Sequence, residues 1–117
     1  EVVAEGEGFA ITVRLREGRA QTVYLMPCQR KDGTRLVRAY SYCGEAKQEM
    51  LGSALRSNGR LPNCGFALLR NDGEECLALT CNVLERTATP ALVKAAVKAI
   101  AFYGDWFENK LTGLDEF

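Results

Sequence analysis

Alternating apolar and polar residues mark three strands in the first part of the chain. The alternation is clearest from Phe9 to Leu15, and two further strand-like segments cover 19–26 and 36–43. Glu17-Gly18 and Asp32-Gly33 separate the three segments. Asp-Gly is a strong hairpin signal, because a type I′ turn needs positive φ at both central residues. The pattern therefore predicts three consecutive antiparallel strands.

If both turns are two-residue loops, they fix which side chains share a face. One face then carries an apolar set, namely Phe9, Ile11, Val13, Leu15, Tyr24, Met26, Val37 and Ala39. The opposite, outer face mixes apolar, aromatic and basic side chains, and its candidate binding residues are Val23, Leu25, Leu36, Arg38, Tyr40 and Tyr42. An exposed patch of this kind marks a partner surface or a dimer interface. The same register sets Arg16 opposite Arg19, which a longer first loop would avoid.

A helix and a second hairpin follow. Apolar and small residues at i, i+4 spacing predict a helix over 44–57, and Asn58-Gly59 is a stop signal after it. Asp72-Gly73 predicts the tip of a hairpin. A two-residue loop there sets apolar residues opposite one another in three pairs, which are Leu68 with Leu77, Phe66 with Leu79, and Cys64 with Cys81.

The last predicted element is a long helix. Thr89 is a good N-cap residue and Pro90 suits the first helical position. An apolar stripe continues from there to about Lys110, and Gly113 is the expected end. The element order is therefore β-β-β-α-β-β-α, an α+β fold with an antiparallel sheet, in a single domain over 1–117.

Composition narrows the chemistry that this chain can perform. Of its 117 residues, 47% are apolar and 26% are charged, the proportions of a soluble globular protein. It contains no histidine, which excludes a Ser-His-Asp or Cys-His site and a histidine-containing zinc site within this chain. No apolar run approaches the roughly 20 residues that span a bilayer. We expect neither an enzyme, nor a cofactor, nor a membrane protein.

The cysteines do not form a metal or disulfide pattern. There are five of them, with no CxxC pair: Cys28, Cys43, Cys64, Cys76 and Cys81. We interpret them as reduced, small apolar residues in a cytoplasmic protein. A cross-strand disulfide or redox switch between Cys64 and Cys81 is the alternative. A zinc site would need four converging thiolates, and the close pairs typical of such sites are missing, so no metal is expected.

Charge is balanced in number but not in position. Fifteen basic residues cancel fifteen acidic ones, yet residues 14–38 hold seven Lys or Arg against two acids. A net charge of zero argues against general nucleic-acid binding. Two interpretations of the basic strands stay open. They are solvated charges that keep the sheet from pairing with other sheets, or they form a surface for an acidic partner or nucleic acid.

The segment from Leu55 to Leu79 resembles the YbjN family. The motif that carries the likeness is Ser57-Asn58-Gly59-Arg60-Leu61-Pro62 after a helix, followed by Gly65-Phe66-Ala67-Leu68 and an acidic glycine turn. The order of elements extends the likeness over about 9–110. That family is described as bacterial sensory transduction regulators and shares the fold of type III secretion chaperones. Its members begin with a helix, whereas residues 1–8 here are acidic and are predicted to be irregular.

The resemblance implies a non-enzymatic module that binds protein or peptide, chaperone-like or regulatory, as a cytoplasmic homodimer. The alternative is a regulatory module that binds nucleic acid or a small ligand through the basic strand region. The two differ in salt response. Nucleic-acid affinity falls steeply with salt through counterion release, whereas apolar protein binding changes little.

Overall fold

The protein, described by a computed structural model over residues 2–61 and 63–115, consists of an antiparallel sheet with two helices on one of its faces. Six strands form the sheet, in the order β1-β2-β3-β4-β6-β5. The elements in chain order are β1 Val2–Glu5, β2 Gly8–Arg14, β3 Ala20–Gln29, β4 Arg35–Glu45, α1 Gln48–Asn58, β5 Gly65–Asn71, β6 Glu74–Leu84 and α2 Pro90–Asp115. The predicted α+β class with an antiparallel sheet is confirmed.

The start of the chain differs from the prediction. Residues 2–5 form an edge strand, β1, so the irregular segment predicted there is wrong and the element order gains a strand. All four side chains of β1 are exposed, so burial leaves no alternating pattern in this strand. Gly8 allows the start of β2 to lie close to β3, because a Cβ at this position would overlap the carbonyl oxygen of Leu25.

The β2–β3 and β3–β4 loops are longer than two residues, and this shifts the register by one position at each. Residues 15–19 connect β2 to β3, and the Leu15 N–H donates to the Arg19 carbonyl at 2.8 Å. Residues 30–34 connect β3 to β4, and the Arg30 N–H donates to the Thr34 carbonyl at 2.9 Å. The two shifts cancel between β2 and β4 but reverse β3, whose inward and outward residues exchange places.

Two of the six candidate binding residues are therefore misplaced by the sequence prediction. Val23 pairs with Ile11 and is 0% exposed, and Leu25 packs against the same helix-covered core. Their assignment to the outer face is wrong, because it rests on a two-residue loop between β2 and β3, which in fact has five residues. The other four candidates, Leu36, Arg38, Tyr40 and Tyr42, do lie on the face without helices.

The second half of the chain follows the prediction more closely. Asp72 and Gly73 both have positive φ, at 52° and 84°, and the predicted pairing of Leu68 with Leu77 is confirmed. The first helix begins four residues later than predicted. Its predicted start, Gly44, has a φ of 131° and belongs to β4, where the register with β6 shifts after Tyr42. Pro62 of the quoted motif and Glu1 lie outside the described residues.

Helix α2 covers the centre of the sheet. Its N-terminus is capped as predicted, since the Thr89 hydroxyl accepts a 3.1 Å hydrogen bond from the Leu92 N–H, but it continues beyond Gly113. Its inner side buries small and large apolar residues against the strands, and these are Ala96, Val97, Ile100, Ala101 and Phe107. The core therefore lies entirely on one side of the sheet.

Candidate functional site

The uncovered side of the sheet carries a cluster of three tyrosines. Tyr24 of β3 lies opposite Tyr40 of β4, and their rings stack with centroids 5.3 Å apart and an interplanar angle of 24°. Tyr42 meets both rings edge-on, with centroids 5.9 Å from Tyr24 and 5.6 Å from Tyr40. We call this surface the tyrosine face, defined by Tyr24, Met26, Arg38, Tyr40 and Tyr42.

Small residues surround the tyrosine cluster on the same face. Ala10 and Thr80 flank the stacked pair in the neighbouring strands, and Ala78 lies opposite Tyr42. All three tyrosines are half-buried, and these neighbours in the adjoining strands are short. The cluster is therefore open to a partner while its rings hold one another in place.

The tyrosine face carries little charge. The strand pairings place Tyr24, Met26 and Tyr42 in three rows of paired residues that run across the sheet. Among the paired residues of these rows, Arg38 is the one charged side chain. The Arg38 guanidinium donates through Nε to Asn82 Oδ1 at 3.0 Å. Burial, together with the nearby Tyr40, raises the pKa of Tyr42, so its hydroxyl stays protonated at neutral pH. The face is thus a surface of neutral hydroxyls, rings and methyl groups around one arginine.

The basic residues of 14–38 do not gather into one patch. Arg19 lies in the loop between β2 and β3 and Arg30 in the loop between β3 and β4, and consecutive hairpin loops lie at opposite ends of a sheet. Arg19 is paired with Asp105, Arg30 with Asp32, and Arg35 with Glu85. The described residues of this segment therefore present no concentrated basic surface to a phosphate backbone.

Cys64 and Cys81 lie close enough for each to influence the pKa of the other, which agrees with the predicted register of the Asp72-Gly73 hairpin. Burial and the neighbouring Cys81 raise the pKa of Cys64 to about 11, and burial raises that of Cys43 to about 12. All five cysteines are free. Thiols that stay protonated are poor nucleophiles and poor metal ligands. Among the described residues, no three acidic or cysteine side chains lie close enough to hold one metal ion.

The sequence prediction missed Tyr24 and Met26. The two-residue-loop register places both on the covered face, whereas the structure places them beside Tyr40 and Arg38 on the tyrosine face. The sequence does contain a signal for the correct placement. A two-residue loop at Glu17-Gly18 sets Arg16 opposite Arg19, and a longer loop avoids this pairing of like charges.

The chain matches no protein-family model, and no curated protein matches it either. The resemblance to the YbjN family therefore stays a prediction. Within the described residues, no helix is both long enough and apolar enough to cross a membrane.

Proposed function

We propose that this protein is a non-enzymatic protein-binding module, chaperone-like or regulatory, whose tyrosine face pairs with a second copy of the chain. The observation that carries the proposal is a cluster of three tyrosines with neighbouring rings, on a sheet face that neither α1 nor α2 covers. Tyrosine, methionine and arginine are enriched at protein interfaces, whereas charged residues are depleted from interface centres. Tyr24, Met26, Arg38 and Tyr40 together have that composition.

The chemistry of the face favours a second copy over a partner of opposite charge. A two-fold interface sets a surface against itself, so like charges near its centre would repel. The single arginine of the central rows is held by Asn82. Tyrosine and threonine hydroxyls both donate and accept hydrogen bonds, so a face rich in them is compatible with its own copy.

A bacterial, cytoplasmic protein related to the YbjN family and the type III secretion chaperones is part of the same proposal. Its support is the quoted motif and the five free cysteines, which suit a reducing compartment. The nucleic-acid alternative receives no comparable support, since the basic residues are dispersed and three of them are in ion pairs.

Sedimentation velocity over a concentration series from about 1 to 100 µM tests the pairing. The wild type should sediment as a dimer, and Tyr40→Lys should be a monomer, because the new ammonium groups and Arg38 would oppose each other across the two-fold axis. The variant should unfold as cooperatively as the wild type, because Tyr40 lies outside the helix-covered core.

The matched control is Leu55→Lys. It makes the same substitution at an apolar residue that is 72% exposed on α1, on the other side of the molecule, and it should leave the dimer intact. A wild type that is monomeric throughout, or a Tyr40→Lys variant that still dimerises, would contradict the proposal. Binding of a labelled single-stranded DNA with a steep salt dependence would favour the alternative instead.

A further inference from the structure

A groove separates the two helices on the covered side of the molecule. Helix α1 lies over the edge strand β5, whereas α2 lies over β3, β4 and β6, so the helices do not pack along each other. The space between them is a cavity of about 430 Å³, lined by the end of α1, the residues after it and the middle of α2. That volume is in the range of small-molecule sites.

The α2 side of the groove is aromatic. Phe102 and Trp106 are one helical turn apart and are 60% and 43% exposed, although a helix of a folded domain normally hides such rings. Tyr103 meets Phe102 edge-on, with centroids 5.2 Å apart, and Leu61 adds an aliphatic contact from the segment after α1. This wall suits the flat, apolar body of a ligand.

The α1 side of the groove is basic and hydroxyl-bearing. Arg56 and Arg60 line it together with Ser53 and Ser57. The Arg56 guanidinium lies along its own helix beside Gly52, where a Cβ would stand 3.3 Å from Nη1. Neither arginine forms an ion pair within the described part of the chain.

Two acids on the middle of α2 bind groups outside the groove. Asp105 binds the guanidinium of Arg19, and Glu108 accepts a hydrogen bond from Gln21, both on the side of α2 that faces β3. None of the described residues that line the groove is acidic. Two arginines beside aromatic rings are thus left with positive charge that a ligand can complement.

We propose that this groove binds a small carboxylate ligand with a ring-bearing apolar body. Arginine forms paired hydrogen bonds with a carboxylate, the serine hydroxyls add donors, and the rings of Phe102 and Trp106 cover the apolar part. The limited volume favours a small molecule over a macromolecular segment. The site is on the opposite side of the sheet from the tyrosine face and does not depend on the function proposed there.

The single tryptophan of the chain makes the test direct, because Trp106 reports only on this groove. We would titrate the protein with 4-phenylbutyrate and with 4-phenylbutanol, which has the same ring and chain length but no charge. Calorimetry measures each affinity, and tryptophan emission reports the location. The acid should bind at least about tenfold more tightly than the alcohol and should change the emission.

Two variants test the arginines. Arg56→Gln and Arg60→Gln should each weaken phenylbutyrate binding by about tenfold and leave phenylbutanol binding unchanged. Arg86→Gln, which removes an exposed arginine outside the groove, is the matched control and should bind as the wild type does.

Three results would overturn the proposal. They are calorimetry without detectable phenylbutyrate binding, equal affinity for acid and alcohol, and unchanged affinity in both arginine variants. Tighter binding of an acidic, phenylalanine-containing dodecapeptide than of phenylbutyrate would overturn the assignment to a small ligand. None of these outcomes concerns dimer formation, so the two proposals fail independently.

Discussion

The guanidinium of Arg19 holds the carboxylate of Asp105 through two parallel hydrogen bonds, Nε to Oδ1 at 3.0 Å and Nη2 to Oδ2 at 3.1 Å. Arg19 lies in the loop between β2 and β3, and Asp105 lies on α2, 86 residues away in sequence. A forked, partly buried pair of this kind is more favourable than an ordinary surface ion pair. It ties the β2–β3 hairpin to α2.

Arg19→Lys should therefore lower the free energy of unfolding, because an ammonium keeps the charge but loses the paired geometry. Urea denaturation measures the change. Arg30→Lys is the matched control, since Arg30 and Asp32 are both exposed and their charged atoms are 3.8 Å apart. Equal losses in the two variants would show that the forked geometry does not contribute.

A second prediction concerns the buried hydroxyl of Ser41, which is 1% exposed. It accepts a 2.7 Å hydrogen bond from Gln21 Nε2 and donates at 2.7 Å to the Thr22 carbonyl. Ser41→Ala should lower the free energy of unfolding by about 1–3 kcal/mol, because buried polar groups lose their partner. Thermal and urea denaturation provide the measurement.

Thr87→Ala is the control for Ser41→Ala. Thr87 is exposed, and its hydroxyl donates to the Leu84 carbonyl at 3.3 Å, so the change should cost less than about 0.5 kcal/mol. If Ser41→Ala cost no more than this control, a hydroxyl at position 41 would not be needed to satisfy the polar groups under α2.

A third prediction follows from Glu108, which accepts a hydrogen bond from Gln21 at 3.2 Å. Burial raises the pKa of Glu108, the Gln21 hydrogen bond opposes the rise, and the nearby Asp105 adds to it. The folded state then holds this proton more tightly than the unfolded state does. The contribution of Glu108 to stability is therefore lost as pH rises from the ordinary carboxyl range through the folded-state pKa.

Glu108→Gln removes this ionisation while keeping the shape of the protonated side chain. Its stability relative to the wild type should increase between pH 4 and pH 7, as measured by urea denaturation at each pH. Both proteins share every other titrating group, so the difference isolates position 108. A relative stability that stays constant or falls over this range would contradict the prediction.

A fourth prediction concerns the reactivity of the cysteines. Because the pKa of Cys64 rises from 9.0 to about 11, its thiolate fraction at pH 8 falls about 100-fold. Iodoacetamide should label Cys64 correspondingly slowly in the folded protein, as followed by mass spectrometry, and at the ordinary rate in urea. Purification without reductant should still leave five titratable thiols after unfolding. A loss of two would indicate a bridge between Cys64 and Cys81.

Two Asp-Gly turns explain how far the sequence predicts this sheet. Asp72-Gly73 makes the predicted two-residue loop, with both residues at positive φ. At Asp32-Gly33 the Asp32 carboxylate instead accepts the Thr34 N–H at 2.9 Å, and Gln29 Nε2 donates to the Gly33 carbonyl at 3.1 Å. The dipeptide therefore predicts a turn, but local side-chain hydrogen bonds decide its length.

Whether the sequence assigns a candidate binding residue to the correct face of the sheet depends on the strand that carries it. The predicted face is correct for residues of β4 such as Tyr40, because two one-residue shifts cancel there. It is wrong for residues of β3 such as Val23, because only one shift separates β3 from β2. The groove was beyond prediction for another reason: it exists because α1 and α2 lie over different strands, and the sheet order that separates them is a tertiary property.

The placement of both helices on one face also determines what a pair of these molecules would look like. Two copies joined through their tyrosine faces would form a four-layer sandwich, helix-sheet-sheet-helix, with the two sheets packed about 10 Å apart. Each groove would then open outward, at opposite poles of the assembly. Such a dimer would be bivalent, able to carry two ligands without obstructing its own interface.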